Sequence, residues 1–126
     1  MKRTQVITVK APAAIGPYSQ GISSGEMVFV SGQTPLLPDG SLAPGGVAEH
    51  TAQCLKNVLE ILIASGLTIN DVVKTTVFMT DLGEFAAMNE VYGKHFRLPY
   101  PARSTVQVSA LPKGADVEIE VVAVRP

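Results

Sequence analysis

The last strand-like stretch of the chain reads Val117-Glu118-Ile119-Glu120-Val121-Val122-Ala123-Val124. Its side chains alternate with the period of two that is typical of a β-strand. Val117, Ile119 and Val121 share one face, which suits a core covered by helices. The opposite face carries the remaining large side chains: Glu118, Glu120, Val122 and Val124. This pattern predicts a sheet with one helix-covered face and one face of mixed polarity.

The rest of the chain alternates between strand-like and helix-like segments, without a linker or an internal repeat. Apolar residues recur at helical spacing from Val47 to Leu62, and Gly66 is a natural left-handed stop for that helix. Asp81, with Glu84 three residues later, predicts the start of a second helix. We predict strands at 6–9, 18–23, 27–33, 72–79, 103–109 and 117–124, and helices at 47–65 and about 81–96.

The order β-β-β-α-β-α-β-β predicts one α/β (α+β) domain over residues 1–126, with a single mixed sheet and two helices on one of its faces. A chain of 126 residues is long enough to bury a core of its own. The two strands 103–109 and 117–124 are joined by a turn at 111–114, and we predict that they pair as a hairpin. In that register Arg103 lies on the same face as Glu118 and Glu120, away from the helices.

Arg103 is the first residue of its predicted strand, and a charged guanidinium at that place needs an anion as its binding partner. A sheet face that carries both valines and charged groups gains from being covered, so we infer a subunit interface with a polar pocket. The alternative is a partly solvated face on which Arg103 pairs with a glutamate across the strands.

Composition excludes several classes of function. The net charge is −1 and the charged residues are scattered, so no basic surface for nucleic acid is indicated. No apolar run approaches the roughly 18 residues of a membrane span, and no secretion signal is visible, so we expect a cytoplasmic protein without a membrane partner. Cys54 is the single cysteine, which excludes an internal disulfide and favours a small core residue.

Five blocks carry a resemblance that covers nearly the whole chain in order. They are Ala11-Pro12-Ala13-Ala14-Ile15-Gly16-Pro17-Tyr18-Ser19-Gln20-Gly21, Val30-Ser31-Gly32-Gln33, Val73-Lys74-Thr75-Thr76-Val77-Phe78, Pro101-Ala102-Arg103-Ser104 and Val117-Glu118-Ile119-Glu120. Together they resemble the signature blocks of the Rid (YjgF) family of reactive imine deaminases. The resemblance implies a chorismate-mutase-like fold, assembled as a homotrimer whose sheets form a central barrel, with one ligand cleft at each subunit boundary.

The resemblance also implies a reaction and two catalytic residues. Similar proteins hydrolyse 2-imino or enamine acids, such as 2-iminopropanoate and 2-aminoacrylate, to a 2-oxo acid and ammonia. Arg103 matches the family's substrate-binding arginine, whose planar fork suits a carboxylate. Glu118 matches the glutamate that contacts the attacking water, and Glu120 is the weaker candidate. No metal and no organic cofactor are expected, because a protonated imine is already electrophilic.

Other pocket positions follow from the same resemblance, each beside an ordinary structural role. Tyr18 would line the cleft or pack, and Ser31 and Gly32 would let the backbone approach the ligand, although Gly32 also suits a bulge. Asn89 would line the pocket, or its amide would make hydrogen bonds that only stabilise the fold. Thr105 stands where many relatives have cysteine, and we expect it to change pocket polarity or substrate preference.

Three functions of different classes compete at this stage. The first is a deaminase of small 2-imino acids, and the second is a non-catalytic trimer that binds or senses small carboxylates in the same inter-subunit cleft. A ribonuclease is disfavoured, because the chain lacks a basic tract, aromatic residues placed to stack bases and a suitable histidine pair. His50 and His95 are expected at the surface or at helix ends.

Overall fold

The computed structural model describes residues 2–126 and contains one six-stranded sheet and two α-helices. The elements follow the predicted order: β1 Arg3–Val6, β2 Gly21–Ser24, β3 Met27–Gln33, α1 Val47–Ala64, β4 Val72–Met79, α2 Phe85–His95, β5 Ala102–Gln107 and β6 Val117–Val124. Short 3₁₀ turns precede β4, α2 and β6, at Ile69–Asp71, Leu82–Glu84 and Pro112–Gly114.

The strands lie side by side in the order β1-β2-β3-β6-β4-β5. Only the β4–β5 pair is parallel, so the sheet is mixed as predicted. The predicted hairpin between the last two strands is wrong, because β6 inserts between β3 and β4 while β5 pairs with β4 at the sheet edge. The parallel β4–β5 pair is connected through α2, which is the crossover that such a pair requires.

Both helices cover one face of the sheet and enclose the core. The inward side chains of β6, Val117, Ile119 and Val121, are at most 3% exposed, which confirms the predicted helix-covered face. The apolar stripe of α1 meets them, and its buried members are Val47, Thr51, Leu55, Val58 and Leu62. Each fully buried aliphatic side chain contributes roughly 1.5–3 kcal/mol to folding. Cys54 is fully buried among them, and burial raises the pKa of its thiol.

The helix ends follow the sequence signals. Gly66, with φ of 82°, stops α1, and the Glu49 carboxylate accepts the backbone N–H of Gly46 at 2.8 Å at its start. The Asp81 carboxylate accepts the N–H of Gly83 at 2.8 Å, but it caps the 3₁₀ turn that leads into α2 rather than α2 itself.

The amino-terminal segment differs from the prediction. The first strand is Arg3–Val6 rather than 6–9, and the second begins only at Gly21. The cause is Gln20, whose buried side-chain amide bonds both the N–H and the carbonyl of Thr8 and turns the chain there. Ile7 and Val9, which looked like strand residues, are 73% and 90% exposed.

Candidate functional site

Arg103 lies on the helix-covered side of the sheet, at its edge. It is in register with Thr75 of β4, whose side chain is buried toward α2. Its Nη1 donates to Oδ1 of Asn89 at 2.7 Å, and its guanidinium carbon lies 4.7 Å from the centre of the Tyr92 ring. The Phe85 ring lies 5.5 Å away. Three side chains of α2 therefore hold the guanidinium in one orientation.

Tyr92 is a fixed platform for this arginine. Its hydroxyl and that of Thr75 are hydrogen-bonded at 2.7 Å, and the ring is 5% exposed. Burial raises the pKa of Tyr92, so the ring stays neutral beneath the cation. The sequence signal was present, because Phe85, Asn89 and Tyr92 share a helical stripe, but the stripe alone did not indicate which strand residue it supports.

A groove of about 430 Å³ opens beside the guanidinium, and we call it the arginine groove. Its lining includes Asn89, Tyr92, Tyr100 and Arg103. Among residues 2–126 no carboxylate forms an ion pair with Arg103, so the part of its fork not bonded to Asn89 is available to an anion. Asn89 lines this groove and also makes a hydrogen bond within the chain; its expected role toward a ligand stays a prediction.

Thr105 lies two residues along β5 on the same face as Arg103. Its Oγ1 is buried and has no hydrogen-bond partner within the part of the chain that the structure describes. A buried hydroxyl without a partner is costly, so a water or a ligand is its natural complement.

Glu118 lies on the other face of the sheet, in a separate cavity of about 580 Å³ that we call the glutamate cavity. Tyr18, Ser31 and Gly32 line it on one side. The loop after β3 supplies most of the opposite wall, and Lys113 reaches the rim. Neither this loop nor Lys113 was predicted to belong to the site.

Gly32 lies directly against the Glu118 carboxylate. A Cβ built on Gly32 would overlap Oε1 of Glu118, so only glycine leaves room for the carboxylate in this position. The β3–β6 register also shifts between Val30 and Gln33, so Gly32 lies in a bulge as well. Burial, and secondarily the charge of Glu120, raises the pKa of Glu118 above its ordinary value.

Tyr18 and Ser31 are positioned by the bonds of the preceding loop. Oγ of Ser31 donates to the carbonyl of Ser19 at 2.6 Å, so its hydrogen is engaged and only its lone pairs face the cavity. Tyr18 follows Gly16, whose φ of 119° few other residues adopt, and its side chain is 53% exposed at the cavity mouth.

The structure thus divides the expected site residues into two groups. Asn89, Arg103 and Thr105 lie on the helix side of the sheet edge, whereas Tyr18, Ser31, Gly32 and Glu118 surround the cavity on the other side. The prediction that Arg103 and Glu118 share a sheet face is wrong. It depended on pairing β5 with β6 as a hairpin. In the structure both strands pair with β4: Arg103 lies beside Thr75 and points to the same face, whereas Glu118 lies beside Phe78 and points to the opposite face.

The two histidines differ in their surroundings. His50 was expected at the surface or at a helix end; it lies in the first turn of α1, but it is only 6% exposed, and both of its ring nitrogens have partners. His95 is half-buried in the last turn of α2, where Nδ1 lies 3.0 Å from the carbonyl oxygen of Val91, so its helix-end position is confirmed.

Two general features complete the description. Within residues 2–126, no group of three His, Cys, Asp or Glu side chains is placed to hold a metal ion. None of the described helices combines the length and apolar character needed to cross a membrane.

Comparisons with known proteins match the chain over nearly its whole length. Residues 8–125 match the family described as Endoribonuclease L-PSP. The 2-iminobutanoate/2-iminopropanoate deaminase of Mus musculus is 50% identical over 124 residues, which cover 98% of this chain and 92% of that protein.

Solved structures agree with this match. The crystal structure of Escherichia coli TdcF with bound serine is 47% identical, covers 98% of this chain and 99% of its own, and superposes with a TM-score of 0.91. RidA from an Antarctic Psychrobacter is 44% identical, with 96% and 98% coverage and a TM-score of 0.92.

Proposed function

The chain belongs to the Rid (YjgF) family, and from that premise we propose that it hydrolyses reactive 2-imino and enamine acids to 2-oxo acids and ammonia. The observation that carries the proposal is Arg103, whose guanidinium is fixed by Asn89 and Tyr92 with no carboxylate of its own chain to neutralise it.

Arg103 is the proposed carboxylate clamp. A 2-imino acid presents a planar carboxylate next to its C=N carbon, and the free edge of the guanidinium can bind it with charge-assisted bonds. The relative TdcF has been crystallised with serine, which carries the same α-carboxylate on a small skeleton. Thr105 lies on the same strand face as this clamp, and its buried hydroxyl has no partner among the described residues.

Glu118 is the proposed base. Its raised pKa makes the carboxylate a stronger proton acceptor than an ordinary glutamate. The carboxylate accepts a proton from water as the water oxygen bonds to the electrophilic carbon, and the second bond of the C=N group opens to leave an amine on that carbon. Glu118 then returns the proton to the nitrogen. The C–N bond breaks, the remaining hydroxyl proton is lost to solvent as the 2-oxo group forms, and the nitrogen leaves as ammonia. No metal or organic cofactor has a step to perform in this sequence.

The separation of the two groups requires a second copy of the chain. Arg103 and Glu118 project from opposite faces of one sheet, so a single chain cannot place both on one small substrate. In the homotrimer that we propose, the arginine groove of one subunit faces the glutamate cavity of its neighbour. Tyr18, Ser31 and Gly32 would then line the same inter-subunit cleft.

A coupled assay tests the reaction. An amino-acid oxidase generates the imino acid, and its disappearance is followed with and without this protein. We expect wild type to accelerate the loss and Arg103→Ala to abolish both deamination and carboxylate binding. Arg97→Ala is the matched control, because Arg97 is an exposed arginine that lines neither half of the site.

Two outcomes would decide against the proposal. Equal turnover by wild type and Arg103→Ala would exclude the clamp. Binding of small carboxylates by wild type, without any acceleration of imine loss, would favour the non-catalytic carboxylate-binding trimer instead.

A further inference from the structure

Two walls of the glutamate cavity come from distant parts of the chain, in addition to the side formed by Tyr18, Ser31 and Gly32. One wall belongs to the loop between β3 and α1 and contributes Leu36, Pro38, Asp39 and Gly40. The other is the turn before β6, which contributes Pro112 and Lys113. The width of the cavity above Glu118 therefore depends on what joins these two segments.

His50, in the first turn of α1, joins them at their base. Its Nε2 lies 2.8 Å from the carbonyl oxygen of Ala43, where the loop returns to α1. Its Nδ1 lies 2.7 Å from Oδ1 of Asp116, at the end of the turn and two residues before Glu118. The histidine side chain is 8% exposed and that of Asp116 is 35% exposed.

Other bonds make each wall a compact unit, so that the contacts of His50 act on the whole segment. In the loop, the N–H of Ala43 donates to the carbonyl of Pro35 at 2.9 Å, and Nδ2 of Asn57 donates to the carbonyl of Leu36 at 2.8 Å. In the turn, the N–H of Ala115 donates to the carbonyl of Pro112 at 3.1 Å.

The two contacts engage both nitrogens of the ring. A carbonyl oxygen can only accept, so Nε2 donates its hydrogen to Ala43. Nδ1 and the Asp116 carboxyl then share a hydrogen across the 2.7 Å contact, and the ring has no nitrogen left free to turn away from either wall.

We infer that His50 is a positioning residue for the proposed site, a clamp that joins these two walls of the glutamate cavity and sets its width. The inference rests on the proposed function for its kinetic consequence but not for its structural one. The clamp lies behind the walls and touches neither Glu118 nor the arginine groove.

The two contacts are tested by nitrogen NMR of protein labelled at its histidines. The chain has only two histidines, so the ring signals are assignable by comparison with His95→Ala. We expect both ring nitrogens of His50 to be hydrogen-bonded in wild type. In Asp116→Asn the amide can donate to Nδ1, so both contacts are kept. A His50 ring with one nitrogen free of a hydrogen bond in wild type would overturn the clamp.

The positioning role is tested by steady-state kinetics of His50→Ala. Because β6 still holds Glu118, we expect KM to rise roughly three- to tenfold, as the loss of these bonds implies, while kcat of the folded protein changes less than about twofold. Asp116→Asn should keep KM near the wild-type value. His95→Ala is the matched control, because it removes a histidine that bonds only its own helix.

The failures of the two proposals are distinguishable. If wild type lacks deaminase activity, the proposed function fails, while the NMR result still reports on the clamp. If wild type is active and His50→Ala has an unchanged KM, the positioning role is wrong. A loss confined to melting temperature and kcat would also reject it, since that is the result expected of a residue that only stabilises the fold.

Discussion

At the scale of single residues, Thr105 is the position where the resemblance predicts a cysteine in many relatives. Its buried hydroxyl has no partner among the described residues and lies on the same strand face as Arg103. A hydroxyl is a stronger hydrogen-bond donor than a thiol. A cysteine here would make this side of the site less polar while leaving the arginine unchanged.

We therefore expect Thr105→Cys to shift the relative kcat/KM toward imino acids with apolar side chains, by roughly three- to tenfold. Steady-state kinetics on a series of imino acids would measure this shift. Thr105→Ser, which keeps the hydroxyl, should retain the wild-type order of preference. An unchanged order in the cysteine variant would show that this hydroxyl does not set specificity.

Glu118 gives a prediction in which activity and stability change in opposite directions. Its folded pKa is raised by burial and by the charge of Glu120. Its contribution to stability is therefore complete below the ordinary glutamate pKa and is lost as pH rises through the raised folded value. Glu118→Gln should lower kcat by about 10²–10³-fold, yet the melting temperature of the variant relative to wild type should increase from acid to neutral pH.

The pH dependence of wild-type activity should report the ionisation of Glu118 as well. We expect activity to fall on the acid side as Glu118 becomes protonated, beginning at a higher pH than an ordinary glutamate would give. Glu120→Gln removes one cause of the raised pKa of Glu118, so the acid-side fall in activity should move to lower pH. A fall that does not move would mean that the charge of Glu120 does not act on Glu118.

The residue chemistry was more predictable than its placement. Arg103 and Glu118 stood out in the sequence because a guanidinium at a strand start and carboxylates on a half-apolar face are unusual. Tyr92 and Lys113 were not recognised, because their contributions depend on contacts across the fold. His50 was expected at the surface or at a helix end because its neighbours in sequence are polar. It lies at a helix end but is buried, because the carbonyl of Ala43 and the distant Asp116 contact its ring.

At the scale of secondary-structure elements, strand periodicity predicted β6 and β4 with their full bounds, since both are long and lie in the interior of the sheet. Pairing was harder to predict. The turn at 111–114 has residues typical of a hairpin, yet β5 pairs with β4, so that it can pack Arg103 against α2. Local turn chemistry does not encode that choice, because it depends on which neighbour buries more apolar surface.

The bulge in β3 gives a prediction at this scale. It brings Gly32 against the Glu118 carboxylate, and an added Cβ would displace that side chain. The far end of a glutamate can move, so we expect Gly32→Ala to fold but to lose activity, with kcat reduced roughly tenfold or more. Circular dichroism would verify that the variant folds, and steady-state kinetics would measure the loss of kcat.

Gly46→Ala is the matched control for this variant. A Cβ at Gly46 makes only an ordinary contact, 3.9 Å from Oε1 of Glu49, and the residue lies outside both cavities. We expect it to leave kcat unchanged. Wild-type kcat in Gly32→Ala would mean that the position of the Glu118 carboxylate is not critical for turnover.

At the scale of the whole molecule, the two halves of the site are on opposite faces of one sheet, and subunit mixing tests whether two copies complete it. Arg103→Ala and Glu118→Gln each inactivate the protein if both groups act in one cleft. In mixed oligomers, however, a cleft between an Arg103→Ala copy and a Glu118→Gln copy can receive both intact residues.

Random mixing of equal amounts in a cyclic trimer leaves roughly a quarter of the clefts intact, because each cleft takes its arginine from one copy and its glutamate from the next. We expect co-refolded variants to recover about that fraction of wild-type activity, while each variant refolded alone stays inactive. Light scattering would establish that the mixed species is a trimer. A mixed trimer without activity would mean that each cleft takes both residues from the same copy. Because Arg103 and Glu118 lie on opposite faces of the sheet, that outcome would contradict the proposed inter-subunit cleft, so the mixing experiment tests that proposal directly.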